Sequence, residues 1–170
     1  MNQLYRHIKQ QRITIAHACE VGVYLPETSN VLDFIRENIH TTLVEADPIT
    51  VEKIKAAFGQ FNITLRPVAV WESRGRIQLS RVGASTFVSA LNSSPAIEND
   101  GYRPREEDSF EVDSVLFSDI DDGTIDLLCV DIEGAEWHVL NHLKSRPKVI
   151  AIETHGKYYT NPHLGIKKWD

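Results

Sequence analysis

The chain has 170 residues, 42% of them hydrophobic and 25% charged, with a formal net charge of -6. That is the composition of an ordinary globular protein, long enough to bury roughly two-thirds of its unfolded surface, and its acidic balance gives no electrostatic footprint for nucleic acid. Residues 1–12 are polar, with only Leu4, Tyr5 and Ile8 spaced for a short amphipathic helix; they lack a signal peptide's apolar core, and no run reaches transmembrane length. Cys19 and Cys129 lie in apolar runs without metal-ligand spacing, which suits reduced, buried thiols and predicts a cytoplasmic protein with neither a membrane nor a nucleic-acid partner. Nothing in the pattern specifies an oligomeric state.

Strand and helix signals alternate along the chain, as in βαβ units around a parallel sheet. Residues 13–21 predict a first strand. Thr28, Ser29 and Asn30 offer cap chemistry for a helix with Val31, Leu32, Ile35 and Ile39 on one face. A short second strand covers 41–45, and Asp47-Pro48 then starts a helix, because aspartate accepts orphan amides and proline suits the first helical position. Val51, Ile54 and Phe58 form its stripe and Gly59 ends it. A third strand is expected over 63–70 and an extra antiparallel-type strand over 76–82. Residues 92–109 are polar, carry Pro95, Gly101 and Pro104, and read as a long loop or lid. A strand over 110–117 follows, then the apolar run 125–132, a helix over 135–143 and a fifth parallel strand over 148–153. On that last helix Ala135, Val139, Leu140 and Leu143 share a face, leaving Trp137 outside.

The run 125–132 breaks into Asp131-Ile132-Glu133-Gly134 before its helix. Ligands of open parallel sheets bind beyond the carboxyl ends of the strands, so Asp131 and Glu133 are placed at a cleft. The first strand ends Glu20-Val21-Gly22-Val23 and the second Val44-Glu45-Ala46-Asp47. A carboxylate at the second strand end can accept both hydroxyls of a ribose, and a glycine after the first lets a ligand approach the backbone. Together they point to a nucleoside-containing cofactor. Glu136, in the first helical turn, is read as stabilising the amide dipole rather than as catalytic. Asp131, Glu153 and His155 sit at neighbouring strand ends, where a divalent ion is conceivable but ranks below a metal-free site, since the spacing is no dedicated metal motif. His138 and His142 are four apart on a helix without an intervening glutamate, which favours a polar flank over zinc. His17 reads as a hydrogen-bonded structural histidine. Arg103 and Arg105 are solvated loop charges by default.

Asp131-Ile132-Glu133-Gly134-Ala135-Glu136, Val44-Glu45-Ala46-Asp47-Pro48, Arg66-Pro67-Val68-Ala69-Val70 with Gly75, and Glu153-Thr154-His155-Gly156 together resemble the FkbM family of S-adenosylmethionine-dependent methyltransferases over most of the chain. The resemblance implies an α/β, Rossmann-like, doubly wound and mainly parallel sheet of the methyltransferase type. Residues 1–170 would form one such domain, truncated before the final antiparallel strand pair. It also implies that Glu20 and Gly22 line the methionine side of S-adenosylmethionine, that Glu45 holds the ribose hydroxyls and that Ala69 lies near the adenine, with Val23, Ala46 and Asp131 also among the cofactor-binding residues. Asp131, Glu133 and His155 become the catalytic candidates, with Asp131 either deprotonating an acceptor hydroxyl or orienting the cofactor amine.

The expected activity is therefore methyl transfer to a hydroxyl of a small molecule or glycan. Two other classes stand beside it. The single glycine of the first loop suits a cofactor-binding or scaffold domain that has lost catalysis; a nicotinamide-dependent oxidoreductase is disfavoured because the three-glycine pyrophosphate fingerprint is absent.

Overall fold

The computed structural model describes residues 2–82, 85–91 and 105–153. In chain order its elements are α1 (Gln3–Gln10), β1 (His17–Val21), α2 (Leu32–Arg36), β2 (His40–Val44), α3 (Pro48–Phe58), β3 (Ile63–Arg66), β4 (Ala69–Val70), β5 (Gly75–Val82), β6 (Ser85–Val88), β7 (Ser109–Val115), β8 (Leu127–Val130), α4 (Glu136–Asn141) and β9 (Val149–Ile152). Five of the strands form a parallel sheet in the order β3-β2-β1-β8-β9, and four form a mixed sheet in the order β4-β7-β5-β6.

The parallel sheet is buried on both faces because its strands are apolar on both. Register sets Ala18 beside Thr41 and Leu127, and Cys19 beside Thr42 and Leu128. One face, with Ala18, Leu43, Leu127 and Cys129, packs on Ile8 of α1, Phe34 and Ile35 of α2, and Ile54 and Phe58 of α3. The other, with Cys19, Val21, Val44, Leu128 and Val130, packs on Phe117, Ile125 and Val139. Each large side chain buried this way contributes about 1.5–3 kcal/mol, so two full layers of them anchor the strand ends that carry the site.

Asp47 caps α3 as its sequence predicts: its carboxylate accepts the Ile49 amide at 2.9 Å, and Gly59 follows the last turn. The third predicted strand divides. Pro67 has no amide to donate and its ring fixes φ, so the parallel ladder stops at Arg66 and the chain turns to pair Ala69 and Val70 with β7 in the other sheet. The expected antiparallel-type strand over 76–82 is β5, which pairs antiparallel with both β6 and β7 in the mixed sheet. The strand β6 was not foreseen. The helix expected from Thr28 begins at Leu32, after a 3-10 turn over Pro26–Thr28, because Ser29 and Asn30 bond to Glu20 instead of capping it.

Of the expected 92–109 loop, residues 92–104 lie outside the described residues, and the remainder is a 3-10 turn over Glu106–Asp108 leading into β7. Cys19 and Cys129 are free and buried. His17 is held between the hydroxyls of Thr124 and Thr42 at 2.8 and 2.9 Å and stacks on His40. His138 is buried against Trp71. Among the described residues no helix is long and apolar enough to cross a membrane.

Candidate cofactor site

A cavity of about 230 Å³ opens across the carboxyl ends of β1, β2 and β8. Its strand-end wall comprises Val21, Gly22, Val44, Glu45, Ala46, Val68, Ala69, Asp131 and Glu133; the opposite wall is Leu79, Arg81, Thr86, Phe87 and Val88 of the β5–β6 hairpin, with Lys53 of α3 and Tyr24 at the rim. Tyr24 is about half exposed and has φ 40°.

Glu45 is the best-defined group of the strand-end wall. It leaves β2 as a buried side chain, and one oxygen accepts the Val23 amide at 3.0 Å while the other accepts the Asp47 amide at 2.8 Å. Burial pushes its carboxyl above the usual range, and the amides of Asp47, Val23 and, more weakly, Ala46 pull it back. A carboxylate offers about four lone-pair sites, more than these amides occupy. Glu45 thus fastens the first loop to the start of α3 and still lines the cavity with acceptor capacity to spare.

Gly22 is required for a reason the sequence did not reveal. It has φ +85°, and a Cβ there would lie 1.8 Å from the Asp131 carbonyl oxygen. The close approach is made by the neighbouring strand end, whose Asp131 amide also donates to the Val21 carbonyl at 2.9 Å. The loops after β1 and β8 are thereby locked together.

Glu20 stands behind the wall. It is only 1% exposed and its carboxylate accepts from the Ser29 hydroxyl at 2.5 Å and the Asn30 amide at 2.7 Å. Burial pushes its carboxyl up to about 7 against the pull of those donors. In this structure its oxygens tie down the returning loop, and the Glu45–Val23 bond shapes the floor. Val23 takes part through its amide; its side chain is buried in the core.

Asp131 reaches the cavity beside Glu153. Burial, a shared hydrogen bond and the charge of Glu153, and then the charges of Glu133 and Glu136, push its carboxyl up to about 8. Glu133 lines the cavity from a left-handed backbone, φ 53°, followed by Gly134 at φ 108°. Glu136 holds that turn by accepting the Gly134 amide at 3.0 Å and the Ile132 amide at 3.3 Å, in keeping with a structural rather than catalytic acid. His155 lies outside the described residues, and among those described no group of three His, Cys, Asp or Glu side chains is placed to hold a metal ion.

The hairpin wall escaped the sequence reading. Its one signal is phase: Ile77 pairs with Val112 and Leu79 with Phe110 on the apolar side of β5, and Arg81 falls in step with them, a charge on a core-facing row. The Arg81 guanidinium forks onto Asp47, with both N–H···O distances 2.6 Å, and lies 4.6 Å above the centre of the Phe110 ring.

A parallel α/β sheet whose strand ends open into one cavity, with convergent acids on an otherwise apolar wall, is built to bind a small ligand. The model of the methyltransferase FkbM domain matches residues 17–166. The chain belongs to that family and carries a methyltransferase domain. No curated protein and no solved structure matches it.

Proposed function

We propose that the chain binds S-adenosylmethionine in this cavity, on a Rossmann-like doubly wound sheet, and methylates a hydroxyl of a small molecule or glycan. The observation that carries the reading is Glu45, a buried carboxylate pinned by two backbone amides at the end of the second strand and lining the cavity with acceptor capacity to spare. That is the requirement for holding two vicinal sugar hydroxyls. Ala46, Val68, Ala69, Leu79 and Val88 give the neighbouring wall the apolar character an adenine needs. When bound, the cofactor supplies an electrophilic methyl group on a sulfonium. The protein's part is alignment and removal of the acceptor proton.

Asp131 fits either half of that task. A carboxyl held protonated by burial and neighbouring acids ionises when a cation is set beside it, so it suits a cofactor amine; once ionised, it can accept a proton from an acceptor hydroxyl. The free, buried cysteines suit a reducing cytoplasm.

Calorimetry with S-adenosylmethionine, S-adenosylhomocysteine and NAD tests the reading, with binding of the first two and none of NAD expected. Glu45→Ala should weaken S-adenosylhomocysteine binding by roughly tenfold to a hundredfold, the scale of charge-assisted hydrogen bonds. Affinity should also rise with pH toward about 8 as Asp131 gives up its proton, and this dependence should flatten in Asp131→Asn. Binding of NAD alone, or wild-type affinity in Glu45→Ala, would reject the assignment.

A further inference from the structure

The cavity is walled by the ends of the parallel sheet on one side and by the β5–β6 hairpin of the mixed sheet on the other, and one line of contacts crosses between them. Phe110 of β7 lies under the Arg81 guanidinium, and Arg81 of β5 forks onto Asp47. Asp47 caps α3 through the Ile49 amide and donates its own amide to Glu45, and Glu45 takes the Val23 amide of the first loop. Asp47 is 6% exposed and therefore poorly screened, whereas the Arg81 side chain is 37% exposed. Its partner is thus fixed by a planar fork that only arginine supplies.

We propose that Arg81 is a positioning residue: through Asp47 it holds Glu45 in the geometry in which its carboxylate meets a ligand's hydroxyls. The physical reason is the number of atoms the fork constrains. The Asp47 carboxylate must be oriented to cap α3, and the same residue's amide must point at Glu45. A bidentate partner from the opposite wall fixes both by removing rotation about the Asp47 side chain. Without it, Asp47 can still cap, but its backbone is free to drift, and Glu45 drifts with it. Closure of the hairpin onto α3 and readiness of the strand-end wall are then one event. The identity of the ligand rests on the methyltransferase reading; the positioning of Glu45 does not.

Three variants separate positioning from bulk stability. Arg81→Met keeps length and the contact with Phe110 but removes the fork; Arg81→Lys keeps the charge alone; Asp47→Asn keeps a competent helix cap but removes the ion pair. Arg81→Met should raise the dissociation constant for S-adenosylhomocysteine by roughly tenfold or more, the effect of a small misplacement in a bound geometry. KM for S-adenosylmethionine should rise with it, while kcat at saturation stays within about twofold, as expected when only binding contacts are lost. Arg81→Lys should recover part of the loss. Joining Arg81→Met to Asp47→Asn should cost no more than the worse single change, because both act on one link.

Amide hydrogen exchange gives a readout that needs no ligand. The Asp47 and Val23 amides should exchange faster in Arg81→Met while those of β1 and β8 stay protected. Wild-type exchange at Asp47 and Val23 in that variant, or losses that add in the double variant, would overturn the proposal. Failure of the wild-type protein to bind S-adenosylhomocysteine, with the faster local exchange still present, would reject the cofactor assignment and leave Arg81's hold on Glu45 standing.

Discussion

The cavity's two walls are made by different means. The strand-end wall consists of loop residues fixed by their own backbones: Gly22 against the Asp131 carbonyl, Glu45 on two amides, Glu136 on the Gly134 amide. The hairpin wall consists of side chains on β5 and β6, placed because β5 pairs over Gly75–Ser80 with β7, 29 to 39 residues later, and beyond that with β6. One wall rests on bonds within each turn and between adjacent strand ends, the other on a distant pairing. They should therefore fail differently: the first all at once, the second locally.

The largest effect expected is Gly22→Ala. A Cβ 1.8 Å from a backbone oxygen, on a residue with φ +85°, cannot be relieved by turning a side chain. The two strand ends must separate, at a cost of about 4 kcal/mol or more, in the range where small domains lose their folded population. Urea unfolding should show it, and stability within about 1 kcal/mol of wild type would mean that the loops can part freely. Next in size is Leu79→Ala in the hairpin wall, where the side chain is buried with Ala69, Val88, Leu91 and Val112. About 2–3 kcal/mol should be lost there by removing a buried leucine. Hydrogen exchange should speed in β5, β6 and β7 while β1 and β8 remain protected; uniform acceleration across both sheets would show that the walls are not separable.

The same contrast explains what could be read from the sequence. The apolar runs ending in Glu45 and Asp131, and the Asp47-Pro48 start of α3, are local signals, and the strand ends converge because parallel strands must. The glycine at 22 was visible, but its necessity comes from Asp131, more than a hundred residues away. The strands β5 and β7 were legible, but their joining with β6 into a second sheet that walls the cavity was not, because Pro67 diverts the chain out of the parallel ladder and β7 follows a long polar stretch with no periodic pattern. Glu20 and Glu45 read alike as strand-end acids, and that Glu20 lies beneath a loop shows only where Ser29 and Asn30 bond to it.

Glu20 and Glu45 then sharpen the comparison within the first wall, since they end adjacent strands and only one faces the cavity. With its folded carboxyl pushed up to about 7 by burial, Glu20 binds a proton more tightly in the native state than in the unfolded chain. For an acid with a raised value, stability is fully present below the unfolded value, near 4.3, and is lost as pH rises through the folded one. Glu20→Gln keeps an acceptor for Asn30 without the charge, so it should leave stability near unchanged at pH 4 to 5 and raise it by about 2 kcal/mol at pH 8. Thermal melts across that window measure it. A variant destabilised equally at every pH would mean that the ionised carboxylate is what holds Ser29 and Asn30.

The smallest effect expected lies on the hairpin wall's own strand. Arg76 and Arg81 are five residues apart on β5 and both meet carboxylates, Arg76 at Glu111 and Asp113 on the paired strand β7. The geometry at Glu111, 2.8 Å, is nearly as short as that of Arg81, but all three side chains of the Arg76 cluster are more than half exposed. Water and salt screen such a pair, and holding three long side chains together opposes what attraction remains. Arg76→Gln should change stability by no more than about 0.5 kcal/mol and leave ligand affinity untouched. The fork at Asp47 differs because its acid is enclosed and its amide leads to Glu45, so the same substitution at Arg81 should weaken binding. Equal binding losses at both positions would mean that β5 acts on the cavity through its charge alone, and the distinction between an enclosed fork and an exposed one would fall.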